Sequence, residues 1–459
     1  MKKLEESQSI DQGQSSYSQK TIYRSIWRWH FYAGIIFAPL LIMLALTGAL
    51  YLFKPQIEGY LYQDYYQVKA GAKALTPSEQ IGKVEKQYPG ATIKSFRPGE
   101  ESTRSTEVEI INQNSSSTIF VDPYNGKILG SLSKEDRFFS IVEKLHGELM
   151  IGDIGDRLVE LTACWAIILI ITGLYLWWPR DRKSIYGTII PRFRRGRQGW
   201  RDWHSVTGFW LSSFIVLLVF TGLPWSGVWG ETINKIATST QTGYPKGLWD
   251  GAPQSTIPTK DVAEVSWAAE NMPVPNSNQR NGYSALSVEQ VIKIANEKKV
   301  HSGYVVNFPQ GEKGVYTVSV SPPSPEDQAT LHIDQYNGKV LADLRFTDYG
   351  IMAKAISIGI ALHEGRYFGI GNQLIGLITC LGLVGITIAG MVMWWKRRPK
   401  GKFGAPSRVP NQKMLKSIAV IVVLLGIFLP LAGISILFVL LLDWLVIKRV
   451  RALREFFGE

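Results

Sequence analysis

Residues 29–48 read WHFYAGIIFAPLLIMLALTG, and residues 203–222 read WHSVTGFWLSSFIVLLVFTG. Trp29-His30 and Trp203-His204 open the two copies. Gly34 and Gly208 follow four residues after each histidine, and Thr47-Gly48 and Thr221-Gly222 close the copies. Each copy is apolar over about 20 residues, the length that crosses a hydrocarbon core. A histidine placed twice at the same depth of a span suggests a pair of ligands.

A second repeat runs through the rest of the chain. Leu145-His146 answers Leu362-His363. Each of these histidines precedes a glycine (Gly173 or Gly390) by 27 residues, and a Trp-Trp pair (Trp177-Trp178 or Trp394-Trp395) by 31. The chain is therefore a duplication: span, polar segment, span, and then the same again. Copies with two spans each keep one orientation, so an axis along the membrane normal should relate them. The expected fold class is an α-helical integral membrane bundle. It has four core spans in two tandem span–domain–span repeats, a C-terminal hydrophobic hairpin and two small α+β domains.

Charge gives this plan an orientation. The 459 residues carry a net charge of +12. Residues 179–202 hold eight Lys/Arg against two Asp, and residues 396–416 hold eight with no acid. Both blocks flank apolar spans, so positive-inside orientation explains them better than nucleic-acid binding. The large polar segments then lie on the opposite side of the membrane from the basic blocks, the periplasmic side if the membrane is a bacterial inner one. The expected order is a disordered cytoplasmic tail 1–20, span 21–53, periplasmic domain 54–138, span with its approach 139–180 and basic loop 181–202. The second half follows as span 203–229, periplasmic domain 230–346, span with its approach 347–398 and basic linker 399–416. A hydrophobic hairpin 417–447 and a tail 448–459 end the chain. Pro430 and Gly433 near the middle of 417–447, with basic residues on both sides, favour two short crossings or a re-entrant hairpin over one long helix.

The polar segments carry helix and turn signals. Thr76-Pro77-Ser78-Glu79 and Ser287-Val288-Glu289-Gln290 read as capped helix starts. Strand-like runs lie at 107–111 and 117–121. The Tyr-Asn-Gly-Lys run after Asp122 recurs after Asp334 and reads as a turn between strands. Only two cysteines occur, Cys164 and Cys380, both inside apolar spans and read as small core residues. There is no CxxCH, which excludes covalent c-type haem, and no nucleotide-binding loop or zinc-protease motif.

Four of the six histidines belong to the repeat. Symmetry pairs His30 with His204 near one membrane surface and His146 with His363 near the other; pairing between adjacent spans is the alternative. Zinc usually takes three or four protein ligands. A haem brings four equatorial nitrogens and needs only two axial ones. Gly34 and Gly208 lie one turn from His30 and His204 and would let a flat macrocycle approach the backbone. Arg28 and Arg201 would neutralise propionates. Thr47 and Thr221 read as back-bonded within their helices. His301 and His332, outside the repeat, read as ordinary surface or strand residues.

The Trp-Arg-Trp-His30 and Arg-Asp-Trp-His204 openings, the Leu-His146 and Leu-His363-Glu elements and the Asp-x-Tyr-Asn-Gly-Lys turns resemble the PepSY-associated transmembrane family, over roughly residues 24–445. Within it the bacterial inner-membrane ferric-siderophore reductases are the best match. The resemblance implies two haem b groups held by His30, His204, His146 and His363. It also implies electron transfer from a cytoplasmic or quinol donor to a periplasmic ferric siderophore or related ferric chelate, with release of ferrous iron. The spacing after His146 is one residue longer than after His363, a departure from a strict repeat. Two rivals stand beside this reading: a non-redox membrane-anchored binding or regulatory protein, and a metal transporter using the same histidines.

Overall fold

A computed structural model describes residues 2–112, 115–179, 185–192, 196–243, 254–278, 284–406, 420–421 and 423–457, with only the backbone of 2–20. Parts of the expected basic loop and linker, the start of the hairpin and the last two residues lie outside the described residues. The chain divides into two compact units. One comprises Met1–Ala49, Lys144–Glu231 and Ile375–Glu459, and the other Leu50–Glu143 and Thr232–Leu374.

Among the described residues, five helices are long and apolar enough to cross a membrane: Thr21–Tyr51, Asp153–Trp177, Arg197–Trp225, Ile370–Arg397 and Pro430–Ile447. The first four are the repeated spans. The first continues a helix that begins at Lys2. The disordered tail expected over 1–20 is thus helical instead. No proline falls within 2–20, and extending a nucleated helix costs far less than starting one.

In the first unit, Ala33, Phe37 and Leu41 of the first span pack against Trp165 and Ala166 of the second and Ile436 of the last. Cys164 and Ile167 pack with Leu223, Leu429 and Ala432, and both cysteines are buried free thiols. The C-terminal apolar stretch is broken at Leu429-Pro430. A Cβ on Gly433 would come within 2.5 Å of Gly426 Cα. The two arms therefore touch backbone to backbone, as small residues at a helix contact permit. Within the tail 448–459, Arg451–Phe457 is helical, and Phe456 and Phe457 accept hydrogen bonds from Phe403 N and Tyr32 Oη at 2.9 and 3.1 Å.

The second unit is built on one sheet where two separate domains were expected. Its strands are β1 (Thr92–Arg97), β2 (Thr106–Asn112), β3 (Ser115–Val121) and β4 (Ile128–Ser133) from the first half. After a small ribbon of β5 (Gln254–Pro258) and β6 (Pro273–Pro275) come β7 (Val305–Asn307), β8 (Val315–Val320), β9 (Ala329–Asp334) and β10 (Val340–Arg345). The order β10-β9-β8-β7-β1-β2-β3-β4 makes a single eight-stranded sheet. The two halves join where β1 pairs antiparallel with β7, Ser95 opposite Asn307 and Phe96 opposite Val306. Helices Pro77–Gln87 and Val288–Glu297 contribute Ile81, Val84, Val288, Val291 and Ala295 to the core that also holds Phe96, Val306 and Leu331. Both helices start with the expected capping box, on Thr76 and Ser287. Both expected turns form as well: Asp122 accepts from Tyr124 N and Asp334 from Tyr336 N, each at 2.9 Å, with Gly126 and Gly338 at φ +73°.

Candidate functional site

The helical phase of the spans decides what each histidine meets. In the membrane unit a cavity of about 660 Å³ lies between the first four spans, within the range of cofactor pockets. His30 and His204 both line it, with ring centroids 6.3 Å apart and planes at 85°. Nitrogen–metal bonds of about 2 Å on either side of one ion would set two imidazole centroids about 6 Å apart. The observed spacing therefore suits one metal ion held between the two rings.

The other ring nitrogen of each histidine is tied down. His204 Nδ1 donates to the Ile386 carbonyl at 2.8 Å. His30 Nδ1 lies 2.9 Å from Thr172 Oγ1. The Thr172 hydroxyl proton is spent on its own helix, at Ile168 O 2.7 Å and Leu169 O 3.2 Å. Its oxygen can therefore only accept from His30. Both rings then carry hydrogen on Nδ1 and present the Nε2 lone pair as ligand, with the outer nitrogen bonded as metal-bound histidines have it. Each ring also rests on a glycine. A Cβ on Gly173 would stand 3.2 Å from His30 Cε1, and one on Gly390 3.5 Å from His204 Cε1.

The wall of the cavity repeats as the sequence does. Seven residues before each histidine stand Tyr23 and Arg197, three before stand Trp27 and Arg201, and four after stand Gly34 and Gly208. All are multiples of a helical turn from the histidine, hence on its face. Open space lies over both glycines: nothing comes within 4 Å of a Cβ on Gly208, and only Leu169 Cδ2, at 3.9 Å, on Gly34. Leu41, Ala166, Ile215 and Leu383 make an apolar inner end, whereas Arg197, Arg201 and Arg397 gather at the span termini.

Of the expected site residues, Arg28 is misplaced. It is not in the cavity wall; its Nη1 donates to Pro406 O at 2.7 Å, and its guanidinium lies 5.1 Å from the Tyr32 ring. Two residues along a helix is a rotation of about 200°, to the opposite face. Arg201, three residues before His204, keeps the right face and is braced by the fully buried Asp202 at 3.0 Å, which Arg192 clamps at 2.6 and 3.1 Å. Arg197 and Arg397 were missed, although phase could have found them. Arg197 is seven residues before His204 and Arg397 seven after Gly390. Tryptophans at span ends are mostly interface anchors, and the sequence does not say which of them would stack on a cofactor instead. Trp177 and Trp394 line the cavity, and their indole N–H groups donate to Thr188 O and Phe403 O, each at 2.8 Å. Trp178 and Trp395 are exposed.

His146 ends helix Phe138–Glu148 and belongs to the membrane unit; His363 ends helix Ile351–His363 and belongs to the sheet unit. His146 is seated as His30 is. Its Nδ1 lies 2.9 Å from Thr47 Oγ1, whose own proton goes to Met43 O or Leu44 O, and a Cβ on Gly48 would meet its Cε1 at 3.4 Å. Thr221 is back-bonded to Leu217 O at 2.8 Å, as expected. His332 is fully buried in β9, with Thr317 Oγ1 3.0 Å from its Nδ1, and burial pushes it down to about 3. His301 is exposed and lies against Ser302 O.

Among the described residues, no group of three or more His, Cys, Asp or Glu side chains gathers to cage a bare ion. Two opposed imidazoles, flat glycine-lined walls, an apolar interior and a guanidinium rim fit a metal that brings its own planar ligand with an acidic edge. A haem answers that description. The family described as "PepSY-associated TM region" matches residues 27–397. No curated protein matches the chain.

Proposed function

The chain belongs to the family of the PepSY-associated TM region, and from that premise we propose that it is a di-haem transmembrane electron-transfer protein. It would reduce a ferric chelate, of the siderophore class, on the periplasmic side of a bacterial inner membrane. The observation that carries this reading is the His30–His204 pair, 6.3 Å apart across one cavity, with each Nδ1 held by a fixed acceptor. Haem b bound there supplies a one-electron ferric/ferrous couple.

The chain's own residues do the rest. His30 and His204 present Nε2 from opposite sides. Gly34 and Gly208 leave the helix backbones bare beside them. Arg197, Arg201 and Arg397 offer donors to carboxylates at the rim. Leu41, Ala166, Ile215 and Leu383 exclude water from the inner end. The repeat makes His146 and His363 the ligands of a second haem. The basic loops orient the His30–His204 site toward the cytoplasm, where a protein donor or a quinol would supply electrons. The substrate step is one electron added to ferric iron; the ferrous product binds hard oxygen donors less tightly and is released.

Reduced-minus-oxidised spectra of protein purified in detergent test this directly. Two b-type haems per chain are expected, bleached by the ferric chelate when the reduced protein sits in vesicles. Protein made with ample haem and lacking b-type bands would overturn the reading.

A further inference from the structure

Two histidines of the membrane unit, His30 and His146, sit in seats of the same design, each made by a Thr-Gly pair of a span. Span Thr21–Tyr51 carries His30 and offers Thr47-Gly48 to His146. Span Asp153–Trp177 offers Thr172-Gly173 back to His30. In each seat the glycine gives the ring its room and the threonine accepts the Nδ1 proton. The seat of His204 in the second half differs from that of His30 at one residue. The repeat counterpart of Thr172 is Ala389, beside Gly390. With no hydroxyl there, His204 Nδ1 reaches the Ile386 carbonyl, and Ile386 is the counterpart of Leu169. The two rings facing one cavity therefore differ in their outer partners: Thr172 Oγ1, with the Leu169 carbonyl beside it, for His30, and the Ile386 carbonyl for His204.

We infer that Thr172 is a positioning residue that makes the two axial ligands unequal and raises the reduction potential of the haem they hold. This rests on the haem reading given above. The physical ground is ligand basicity. The more strongly Nδ1–H is pulled by its acceptor, the more electron density reaches Nε2, and the more the ferric state is favoured. A peptide carbonyl is a stronger acceptor than an alcohol oxygen. The Thr172 hydroxyl takes the hydrogen bond of His30 Nδ1 at 2.9 Å and leaves the Leu169 carbonyl only a shared, secondary hold on the ring.

The test exchanges the seats. Thr172→Ala should keep both haems and a low-spin bis-histidine spectrum, because His30 Nδ1 falls to Leu169 O as His204 does to Ile386 O. The midpoint of one haem should move negative. The expected change is roughly tenfold in the oxidised-to-reduced ratio at fixed potential, 59 mV for a one-electron couple. Thr172→Ser should leave the midpoint in place. Ala389→Thr should move the same haem in the positive direction, and it stands as the independent variant if Thr172→Ala does not accumulate. Unmoved midpoints in Thr172→Ala and Ala389→Thr would overturn the inference. So would a shift in Thr172→Ser as large as in Thr172→Ala. Wild-type protein without haem would instead sink the reading beneath it, and the two failures are told apart by the wild-type spectrum alone.

Discussion

The duplicated chain has treated its two copies differently in its two units. Around the cavity, the residues at and beside the paired rings are the same in both copies at the same helical phase (His30 with His204, Gly34 with Gly208, Gly173 with Gly390, Trp177 with Trp394), while the rim differs, Tyr23 against Arg197 and Trp27 against Arg201. In the sheet unit the turns keep their residues, Asp122 with Asp334 and Gly126 with Gly338, but other matched positions change their chemistry. Phe120 in β3 answers His332 in β9, both fully buried, and Ser78 answers Glu289 at the helix starts. A core position needs volume and shape, which Phe and His both supply. A position facing its own copy across a shared site needs the same atoms twice. The contrast lies in what is kept: the sheet keeps its turn residues, and the cavity keeps the groups that could hold a ligand, the two imidazoles and the glycines beside them.

The largest effect should come from breaking the matched pair. His30→Ala and His204→Ala should each abolish one of the two haems and leave the other, giving half the haem absorbance per chain. His332→Phe, which restores the matched residue in the sheet, should leave haem content unchanged. If His332→Phe lost haem and His30→Ala did not, the contrast between the units would be reversed.

A smaller effect separates the two arginines. A charge-assisted hydrogen bond is worth about 1.5–3 kcal/mol, so Arg201→Gln should weaken haem retention by about tenfold or more in competition with a haem-binding scavenger protein. Arg28→Gln should do nothing measurable to retention, because Arg28 faces Pro406 and Tyr32. Equal losses would place Arg28 in the site after all.

These arginines also show where the sequence was legible. The spans, the histidines, both capping boxes and both Asx turns follow from short-range rules, because an apolar run or a Thr-x-x-Glu spacing carries its own geometry. Nearness in sequence points to Arg28, yet two residues on a helix is nearly the farthest apart in angle. The same phase rule, applied seven residues out, picks Arg197 and Arg397. The fused sheet was not legible. Its join is a two-residue register between β1 and β7, segments about two hundred residues apart, with nothing local to mark an edge that will be shared. The Thr172 seat was hidden for a similar reason: only the packing of two spans brings the hydroxyl to Nδ1.

The sheet supplies a pH signature that the matched phenylalanine lacks. His332 is held neutral by burial, down to about 3, whereas an unfolded histidine titrates near 6.5. The stability tied to its neutral form is complete above about 6.5 and is lost as pH falls toward 3. Amide exchange in β8 and β9 should therefore accelerate over that window beyond its intrinsic pH dependence. In His332→Phe the extra acceleration should vanish, with β3 as the internal control. The same acceleration in both proteins would assign it to other groups.

The smallest effect lies where the two halves of the sheet unit meet through unlike residues. Glu289 accepts from Ser78 N at 2.7 Å and from Ser78 Oγ at 2.8 Å, so one helix start caps the other. Burial raises the Glu289 carboxyl, but the two Ser78 donors and its own helix start outweigh that and hold it below the usual carboxylate range. Its contribution is present above the unfolded carboxylate value and lost as pH falls through the lower folded one, a window more acidic than the onset of the His332 effect. Ser78→Ala should cost about 1 kcal/mol, one exposed charge-assisted bond, and Glu289→Ala somewhat more, since it removes both acceptor oxygens. Read by exchange of the Pro77–Gln87 amides near neutral pH, each variant should loosen that helix start and leave haem content untouched. A haem loss in either would mean that the mismatched positions, too, serve the duplicated site.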